Sequence, residues 1–386
     1  DTSGAEVAGP TRRDRGPRER MNVRVRGVYT TALTRLFADA DLDVVQASAP
    51  IRRRFEREFP VAEHDASVET TGDRQGVEIS GTDEAVTAVR DALDGAGDDT
   101  FQWADSLPRG AVLDGVVEHT VGGGAVLDLD GGEGYLPFGN AEDRITEGDH
   151  LRVQVRDPAA PWSDDRAVLD TTVRVAGGLL SLVWDREATV ARTPDGSAEH
   201  ELAGLTEMLP TDVPERWAVE WERPAEDADM DALDDALAAT ADVAADVETA
   251  LVDAGDPGDP GVVVAPRETA WAWFGRESRF ALDDVRAEVA PTMDGHHRVK
   301  AAANGASDAV DFVESVCGGV AEFPVAAVLD TFGPTEGDTV ALEHGKPDGR
   351  LLTLGRGTVV DLDADDGTVT VRREMTGGGT YDGLGA

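Results

Sequence analysis

Residues 110–157 read GAVLDGVVEHTVGGGAVLDLDGGEGYLPFGNAEDRITEGDHLRVQVRD, and this stretch decides the fold of its part of the chain. Short runs of alternating apolar and polar residues are separated by Gly-rich turns, which predicts strand, turn, strand, turn and strand. An excursion over residues 139–147 then leads into a further strand, HLRVQVR. Such a series is typical of a small closed barrel of the OB-fold type. We place this barrel domain at residues 108–190.

Two aromatic residues of this stretch, Tyr135 and Phe138, are candidates for an exposed binding face. Aromatic residues make up only 5% of the chain, so two exposed rings close together would carry information. Rings on the open face of such a barrel stack on the bases of single-stranded nucleic acid. The alternative is that one or both rings fill the barrel interior, and the sequence leaves that alternative open.

The segment before the barrel, residues 21–97, predicts a small α+β domain. MNVRVRGVY alternates as a strand does, TALTRLFADA is helical, ASVETT and GVEISG form a hairpin pattern, and Thr82 caps a following helix. Arg24 and Arg26 share one face of the first strand and, with the arginines at 52–54, make this the most basic ordered part of the chain. They either contact RNA phosphates or pair with the surrounding carboxylates.

The rest of the chain completes a multidomain α+β fold. Residues 98–110, DDTFQWADSLPRG, are interpreted as a polar link. Residues 195–345 predict a central α+β domain with a long acidic helix over 225–254, and residues 346–386 predict the start of a C-terminal β domain. Residues 1–20 are interpreted as a disordered basic extension, with a basic arm that touches nucleic acid as the alternative.

The chain holds 77 acidic and 35 basic residues, which gives a formal net charge of -42. The acids are spread through segments with core-spaced Val, Leu and Ala, which indicates adaptation to multimolar salt. At such ionic strength the Debye length is about 3 Å or less, so a local basic patch can still bind an anion. Cys317 is the single cysteine, which excludes a disulfide framework and a cysteine-based zinc site. With no apolar run near the ~18 residues of a membrane span, we expect a cytoplasmic protein.

The stretch TMDGHHRVKA opposes the acidic trend, because it gathers His296, His297, Arg298 and Lys300, one of only two lysines in the chain. On an extended segment, alternation places His296, Arg298 and Lys300 on one face, so that an imidazole lies beside two phosphate-binding cations. We therefore predict His296, His297 and Lys300 as catalytic residues and Arg298 as an RNA contact. Adjacent histidines do not suit a zinc site. Anion binding without chemistry and ion pairing with nearby acids are the alternatives.

A carboxylate stripe follows eight residues later on the predicted helix SDAVDFVESV. Asp308, Asp311 and Glu314 are spaced three apart and lie opposite Val310 and Val313. Three carboxylates on one face can hold Mg²⁺ and activate water against a phosphodiester. In a chain this acidic, the alternative is a hydrated surface.

Four motifs and the barrel stretch through GYLPF resemble the archaeal AU-rich-RNA-binding ribonuclease family related to RNase E/G. The four motifs are VRVRGVYTTALTRLF (23–37), DRAVLDTTVRVAGGLLSLVWD (165–185), MLPTDVPERWAVEW (208–221) and GHHRVKAA (295–302). The resemblance runs from Met21 to about Gly385. It implies an RNA-binding barrel, binding to AU-rich loops, and ribonuclease activity in ribosomal precursor RNA processing or in RNA decay.

The sequence also departs from its RNase E relatives. An aromatic residue followed by Leu and His contacts RNA in the RNase E barrel, whereas this chain has Tyr135, Leu136 and Pro137. A lysine that contacts RNA there falls near Arg166, which preserves only the charge. The metal-binding aspartates of the RNase E catalytic domain have no assignable position. The last stretch resembles the beginning of the phosphatase-like β domain that closes family members, and since the sequence stops just after YDGLG we expect either a truncated chain or an incomplete domain.

Together these features predict an RNA-binding protein and endoribonuclease acting on AU-rich single-stranded or loop RNA, with Mg²⁺ as the candidate cofactor and no DNA specificity. The predicted RNA contacts are Tyr135, Phe138, Arg166, Arg298, Arg24 and Arg26. The alternative is a non-catalytic RNA-binding factor in ribosomal RNA maturation. A nucleotide phosphatase is a weaker third hypothesis.

Overall fold

The structure is a computed structural model, and it describes residues 20–55, 57–141, 143–186, 190–192, 196–290, 297–301, 336–345, 351–363, 368–373 and 380–384. In chain order, the helices are α1 (Thr30–Asp39), α2 (Ala49–Arg54), α3 (Asp83–Leu93), α4 (Gly196–Thr206), α5 (Met230–Ala254) and α6 (Arg276–Val289). Short 3-10 helices cover Asp94–Ala96, Phe138–Asn140 and Arg223–Asp227. Within the described ranges, no helix has the length and the apolar character that a membrane crossing needs.

The strands form four sheets. In chain order they are β1 (Asn22–Arg26), β2 (Asp43–Val44), β3 (Ala66–Thr70), β4 (Gly76–Gly81), β5 (Thr100–Ala104), β6 (Val112–Val121), β7 (Gly124–Leu129), β8 (Gly132–Pro137), β9 (His150–Asp157), β10 (Ala167–Asp170), β11 (Arg174–Ala176), β12 (Leu180–Trp184), β13 (Val190–Arg192), β14 (Trp217–Glu222), β15 (Gly261–Val264), β16 (Glu268–Phe274), β17 (His297–Ala301), β18 (Thr339–Gly345), β19 (Leu351–Asp363), β20 (Thr368–Arg373) and β21 (Thr380–Leu384).

The first sheet has six strands in the order β2-β1-β3-β4-β16-β5. Alternate residues of these strands face a core that is closed by helices α1, α3 and α6, because every second residue of a strand points to the same side. The cap prediction at Thr82 is confirmed, since its side chain accepts a hydrogen bond from the Ala85 amide at 3.3 Å. The opposite face of the sheet carries no helix from the described part of the chain, and we call it the helix-free face.

The prediction of a polar link at residues 98–110 is wrong, because residues 100–104 form the edge strand β5. The five residues TFQWA find their hydrogen-bond partner in β16, far away in sequence, so the local pattern gave no indication of a pairing. Strand β16 itself comes from the region 195–345, and the sheet therefore joins segments that the sequence assigned to different domains. The domain boundaries remain predictions.

The second sheet closes into the five-stranded barrel β6-β7-β8-β10-β9, and a pairing between β9 and β6 completes the circle. Strands β8 and β10 run parallel, while the other barrel neighbours are antiparallel. The long strand β6 makes this closure possible, because its first half pairs with β9 and its second half with β7. The strand order and the closure are consistent with an OB-like barrel, so this part of the fold prediction is confirmed.

Two glycines allow the barrel interior to fill with leucine side chains. A Cβ atom on Gly134 would lie 2.5 Å from Leu169 Cδ1, and one on Gly115 would lie 2.6 Å from Leu129 Cδ2. Tight packing of this kind leaves no room for even one methyl group. The barrel core is made by Leu107, Ala111, Leu113, Val117, Ala125, Leu127, Leu129, Leu136, Ile145, Val153, Val155, Ala167 and Leu169.

The third sheet, β11-β12-β14-β13, packs against α5. Helix α5 begins at Met230, five residues later than predicted, because Arg223–Asp227 forms a separate 3-10 turn that contains a proline. The Asp229 side chain caps α5 by accepting from the Ala232 amide at 2.9 Å. The shared core includes the fully buried Trp221.

The fourth sheet is the meander β17-β18-β19-β20-β21, with every neighbouring pair antiparallel. Within it, the segments GTVVDLD and TVTVRRE pair as the antiparallel strands β19 and β20. It also takes in β17 and β18, which lie upstream of residue 346. The mixed helix and sheet composition confirms the coarser fold-class prediction.

Candidate nucleic-acid interface

Tyr135 lies on the outer face of the barrel. On strand β8, its neighbour Leu136 is fully buried in the barrel core, and alternation places Tyr135 on the opposite side. The ring lies over Gly124 of the adjacent strand, where a Cβ atom would be only 2.6 Å from Tyr135 Cζ. The missing side chain at Gly124 therefore creates the space that the tyrosine ring occupies. The alternative that Tyr135 fills the interior is wrong.

Phe138 lies beside the same turn of the barrel. It begins the 3-10 turn after β8, and its amide donates to the Gly123 carbonyl at 2.8 Å. The side chain is 44% exposed, which is high for a phenylalanine. Tyr135 and Phe138 thus lie on either side of the end of β8, next to the Gly-rich turn between β6 and β7.

Arg166 lies on the same barrel face as Tyr135. Its Nε donates to Glu133 Oε2 at 2.6 Å, and Glu133 precedes Tyr135 by two residues on β8, which puts both on one side of the strand. The two side chains of the pair are 47% and 48% exposed. An ion pair this exposed contributes about 0–1 kcal/mol, so an RNA phosphate can replace Glu133 at little cost. We call Tyr135, Phe138 and Arg166 the barrel face.

Arg24 and Arg26 lie elsewhere, on the helix-free face of the first sheet. Arg24 donates from Nη1 to Glu69 Oε1 at 2.8 Å and to Ser67 Oγ at 3.2 Å. Arg26 donates to the Gln46 carbonyl at 2.8 Å, and burial, followed by the charge of Arg24, lowers the pKa of Arg26 to about 10. Both arginines therefore have partners within the protein.

Arg24 also lines a cleft of about 250 Å³ between the first sheet, the barrel strand β9 and the third sheet. No residue of the barrel face lines this cleft, so the structure does not bring Arg24 and Tyr135 into one site. Both acidic and basic side chains line the cleft. Arg109 reaches across it, with Nε at 2.6 Å from Glu78 Oε1 and Nη1 at 2.9 Å from Asp157 Oδ1.

The predicted catalytic cluster falls mostly outside what the structure describes. His296 and the carboxylates Asp308, Asp311 and Glu314 lie outside the described residues. The backbone of His297, Arg298 and Lys300 belongs to β17, where the register sets them opposite His344, Glu343 and Ala341 of β18. Among the described residues, no group of three His, Cys, Asp or Glu side chains is placed to hold a metal ion.

A cluster that sequence reasoning missed lies on strands β5 and β16 and on the loop between β9 and β10. Four of its five members are tryptophans, in a chain that has seven. The cluster consists of Phe101, Trp103, Trp162, Trp271 and Trp273, each ring within 6.4 Å of the next. The alternation of aromatic residues in TFQWA and TAWAWF is the pattern that could have indicated it.

No protein-family model matches this chain. It is 52% identical over 366 residues to a probable ribonuclease FAU-1 of Halobacterium salinarum, covering 94% of this chain and 77% of the relative. It is 50% identical over 370 residues to that of Natronomonas pharaonis, covering 95% and 78%. It is 29% identical over 383 residues to that of Thermococcus kodakarensis, covering 95% and 77%. The chain therefore belongs to the family of the probable ribonuclease FAU-1 proteins.

Proposed function

We propose that this protein is an RNA-binding endoribonuclease that holds single-stranded or loop RNA on the barrel face. The observation that supports this most directly is the ring of Tyr135, which lies on the outside of a closed OB-like barrel with Phe138 and Arg166 beside it. Aromatic rings on such a surface stack on bases, and an exposed arginine adds a phosphate contact. The relatives are named probable ribonucleases, which supports the reaction class.

The substrates in this proposal are AU-rich loops, in ribosomal RNA precursors or in RNA undergoing decay, and the reaction takes place in the cytoplasm. Stacking alone tolerates every base, because each base has a π-face. Loops and unpaired segments are the regions whose bases are free to splay out onto a protein surface. The preference would therefore reflect unpaired structure first and base identity second.

In the proposed chemistry, one imidazole of the pair His296 and His297 acts on the phosphodiester, because adjacent residues of an extended segment point to opposite faces. That imidazole takes the proton of the attacking oxygen as a general base and then gives it to the leaving oxygen as a general acid. Lys300 and Arg298 hold the phosphate, since cations beside a phosphodiester stabilise its charge. Asp308, Asp311 and Glu314 are the proposed residues for Mg²⁺, which would supply Lewis-acid assistance.

The test is incubation of the purified protein with AU-rich stem-loop RNA in about 1 M KCl, with and without Mg²⁺, and with a paired RNA of equal length as the control. Products from the loop RNA that are absent with the paired RNA support the endoribonuclease. Tight binding without products supports the non-catalytic maturation factor instead. Release of phosphate from free nucleotides would favour the nucleotide phosphatase.

Tyr135→Ala should weaken binding of a single-stranded RNA about 10-fold in about 1 M KCl, because stacking on one ring is lost. Arg166→Ala should weaken it less than about 5-fold, since high salt weakens phosphate contacts and the arginine already has an exposed partner. Tyr135→Phe is the matched control, because it keeps the ring and should retain the affinity. Fluorescence anisotropy with a labelled oligonucleotide measures all three. A larger loss with Arg166→Ala than with Tyr135→Ala would contradict the stacking model.

Gly124→Ala should reduce RNA affinity through Tyr135. The new Cβ would lie 2.5 Å from the Leu136 carbonyl oxygen and 2.6 Å from Tyr135 Cζ, so the ring must leave its position. We expect a loss of about 10-fold in the wild-type background and a smaller loss in the Tyr135→Ala background, where only the contact with the Leu136 carbonyl remains, as a double-mutant cycle detects for residues in contact. Gly139→Ala is the matched control, since its Cβ would meet nothing within 4 Å. Equal losses in both backgrounds would show that Gly124 acts without the ring.

A further inference from the structure

Five aromatic rings form a continuous chain outside the barrel, and we call them the aromatic row. The ring centroids lie 5.9 Å apart from Trp273 to Phe101 and 6.4 Å apart from Phe101 to Trp103. The chain continues over 5.5 Å from Trp103 to Trp162 and over 5.9 Å from Trp162 to Trp271. The exposed end is tilted, with interplanar angles of 36° and 41° at Phe101. Tilted rings do not cover one another's faces, so each can accept a stacked base.

The aromatic row belongs to the helix-free face of the first sheet. Ala270, Ala272 and Phe274 of β16 point into the helix-covered core, so the alternating Trp271 and Trp273 point the other way. Strand β5 continues the pattern at the sheet edge, where Trp103 is in register with Trp271 and Phe101 with Trp273. A helix-free sheet face with exposed aromatic rings is the arrangement on which other single-stranded RNA-binding domains stack bases.

The rings of the aromatic row differ in solvent exposure, from a buried ring at one end to exposed rings toward the other. Trp271 is 3% exposed, whereas Trp103 is 38% and Phe101 is 52% exposed. Large apolar side chains this exposed are unusual on a soluble surface when they lie together. Only 5% of the residues in this chain are aromatic. The concentration of aromatic rings at one sheet edge therefore indicates a binding site for a ligand with flat apolar faces.

Hydrogen bonds fix the orientation of three of the rings. Trp271 Nε1 donates to Asp105 Oδ2 at 2.6 Å, and Trp162 Nε1 donates to Asp73 Oδ2 at 2.9 Å. Trp273 Nε1 donates to Gln75 Oε1 at 3.2 Å. These bonds use the indole donors of Trp162, Trp271 and Trp273 and hold the rings against which the exposed Phe101 and Trp103 pack. A surface whose base is held in place loses little freedom on binding, which favours stacking.

The aromatic row and the barrel face both include a residue from the connection between β9 and β10. Trp162 lies in the loop 158–166 between β9 and β10, which corresponds in barrel order to a loop that contacts oligonucleotides in OB-folds. Arg166 ends the same loop, four residues from Trp162, so their Cα atoms are at most about 14 Å apart. A strand that leaves Tyr135 past Arg166 therefore meets the aromatic row within a few nucleotides.

We propose that the aromatic row is a second stacking site, which takes the part of a single-stranded RNA that extends beyond the barrel face. This inference rests on the proposed function, because the barrel face supplies the first part of the path. The row favours RNA over a protein partner, since its exposed surface is made of flat rings instead of interlocking aliphatic side chains. The high salt to which the composition is adapted screens the nearby carboxylates and leaves stacking as the main attraction.

The test compares two oligouridines, one of about 4 and one of about 12 nucleotides, which span the short and long ends of the site sizes seen for OB-folds. The variant is Phe101→Leu with Trp103→Leu, which keeps an apolar surface and removes the π-faces. We expect it to bind the longer RNA about 10-fold or more weakly and the shorter one within about twofold of wild type. Met208→Leu is the control, because this exposed residue lies outside both surfaces. Unchanged affinity for the longer RNA would overturn the inference.

Three further measurements separate the possible outcomes. Tyr135→Ala should weaken both oligonucleotides, and if it weakens neither, the proposed function fails at the barrel face independently of the aromatic row. Photocrosslinking of wild-type protein with a 12-nucleotide RNA that carries 4-thiouridine at either end should mark residues 101–103, and this result does not depend on any variant folding. Sedimentation of the double variant without RNA reports a copy-to-copy interface. A change there, with RNA affinity intact, would reassign the row to protein association.

Discussion

Arg109→Met should lower the free energy of unfolding by about 2 kcal/mol at neutral pH, which is below the range for a fully buried ion pair because the Arg109 side chain is 36% exposed. Arg109 binds Glu78 with two parallel hydrogen bonds, from Nε to Oε1 at 2.6 Å and from Nη2 to Oε2 at 2.9 Å. The Glu78 side chain is only 13% exposed, so removal of the guanidinium leaves a buried carboxylate without its counterion. The pair also joins the first sheet to the segment that enters the barrel.

The loss in Arg109→Met should depend on pH in a defined direction. Burial already raises the pKa of Glu78 above its ordinary value, against the hydrogen bonds and charge of Arg109. Without Arg109 the pKa of Glu78 rises further, and the folded state then binds a proton more tightly than the unfolded state. The destabilisation is therefore small below about pH 4.5, near the ordinary Glu pKa, and grows as the pH rises through the pKa of Glu78 in the folded variant.

Urea denaturation in KCl at several pH values, followed by circular dichroism, measures this effect. Arg166→Met is the matched control, because its ion pair with Glu133 is about half exposed and should contribute about 1 kcal/mol or less at any pH. If Arg109→Met lowers the free energy of unfolding equally at pH 4 and pH 8, Glu78 is not the group that is left without its counterion.

The barrel and its face could be predicted from the sequence because the information is local. Strands β6, β7 and β8 follow one another through Gly-rich turns, so each pairs with its neighbour in sequence. Once β8 is fixed, alternation alone separates the interior Leu136 from the exterior Tyr135. The orientation of that ring over Gly124 depended on the pairing register between β7 and β8, which the turn between them sets.

The aromatic row and the Arg109–Glu78 pair could not be predicted because they depend on contacts between distant segments. TFQWA is too short to indicate a strand by itself, and its partner β16 follows it only after the whole barrel and the third sheet. Similarly, alternation places Arg24 and Arg26 on one face, but only the crossing of the chain at β2 brings the Gln46 carbonyl to Arg26. Residue type and spacing carry no information about such tertiary neighbours.

His297→Ala should lower the single-turnover rate of RNA cleavage by about 10²–10⁴-fold, the usual contribution of a general acid or base. His297 begins strand β17, whose backbone pairs along its length with β18. Alanine fits an extended backbone, so we expect the variant to fold and to bind RNA with nearly wild-type affinity. Because adjacent residues of an extended segment point to opposite sides, His296→Ala should cause this loss only if His297→Ala does not, whereas Lys300→Ala should weaken binding as well as cleavage, because it removes a phosphate contact.

The decisive comparison is between cleavage and binding in the same variants. His150→Ala is the control imidazole, since it bonds the Gly258 carbonyl at 2.7 Å on the barrel and should leave the rate unchanged. The pH profile of cleavage should lose one limb in His297→Ala, because the group that transfers the proton is removed. Added imidazole should restore part of the rate, because a small base can enter the space left by the side chain. A structural role for His297 would give a rate that imidazole does not restore, and a purely anion-binding role would instead raise the Kd for RNA in proportion to the lost rate.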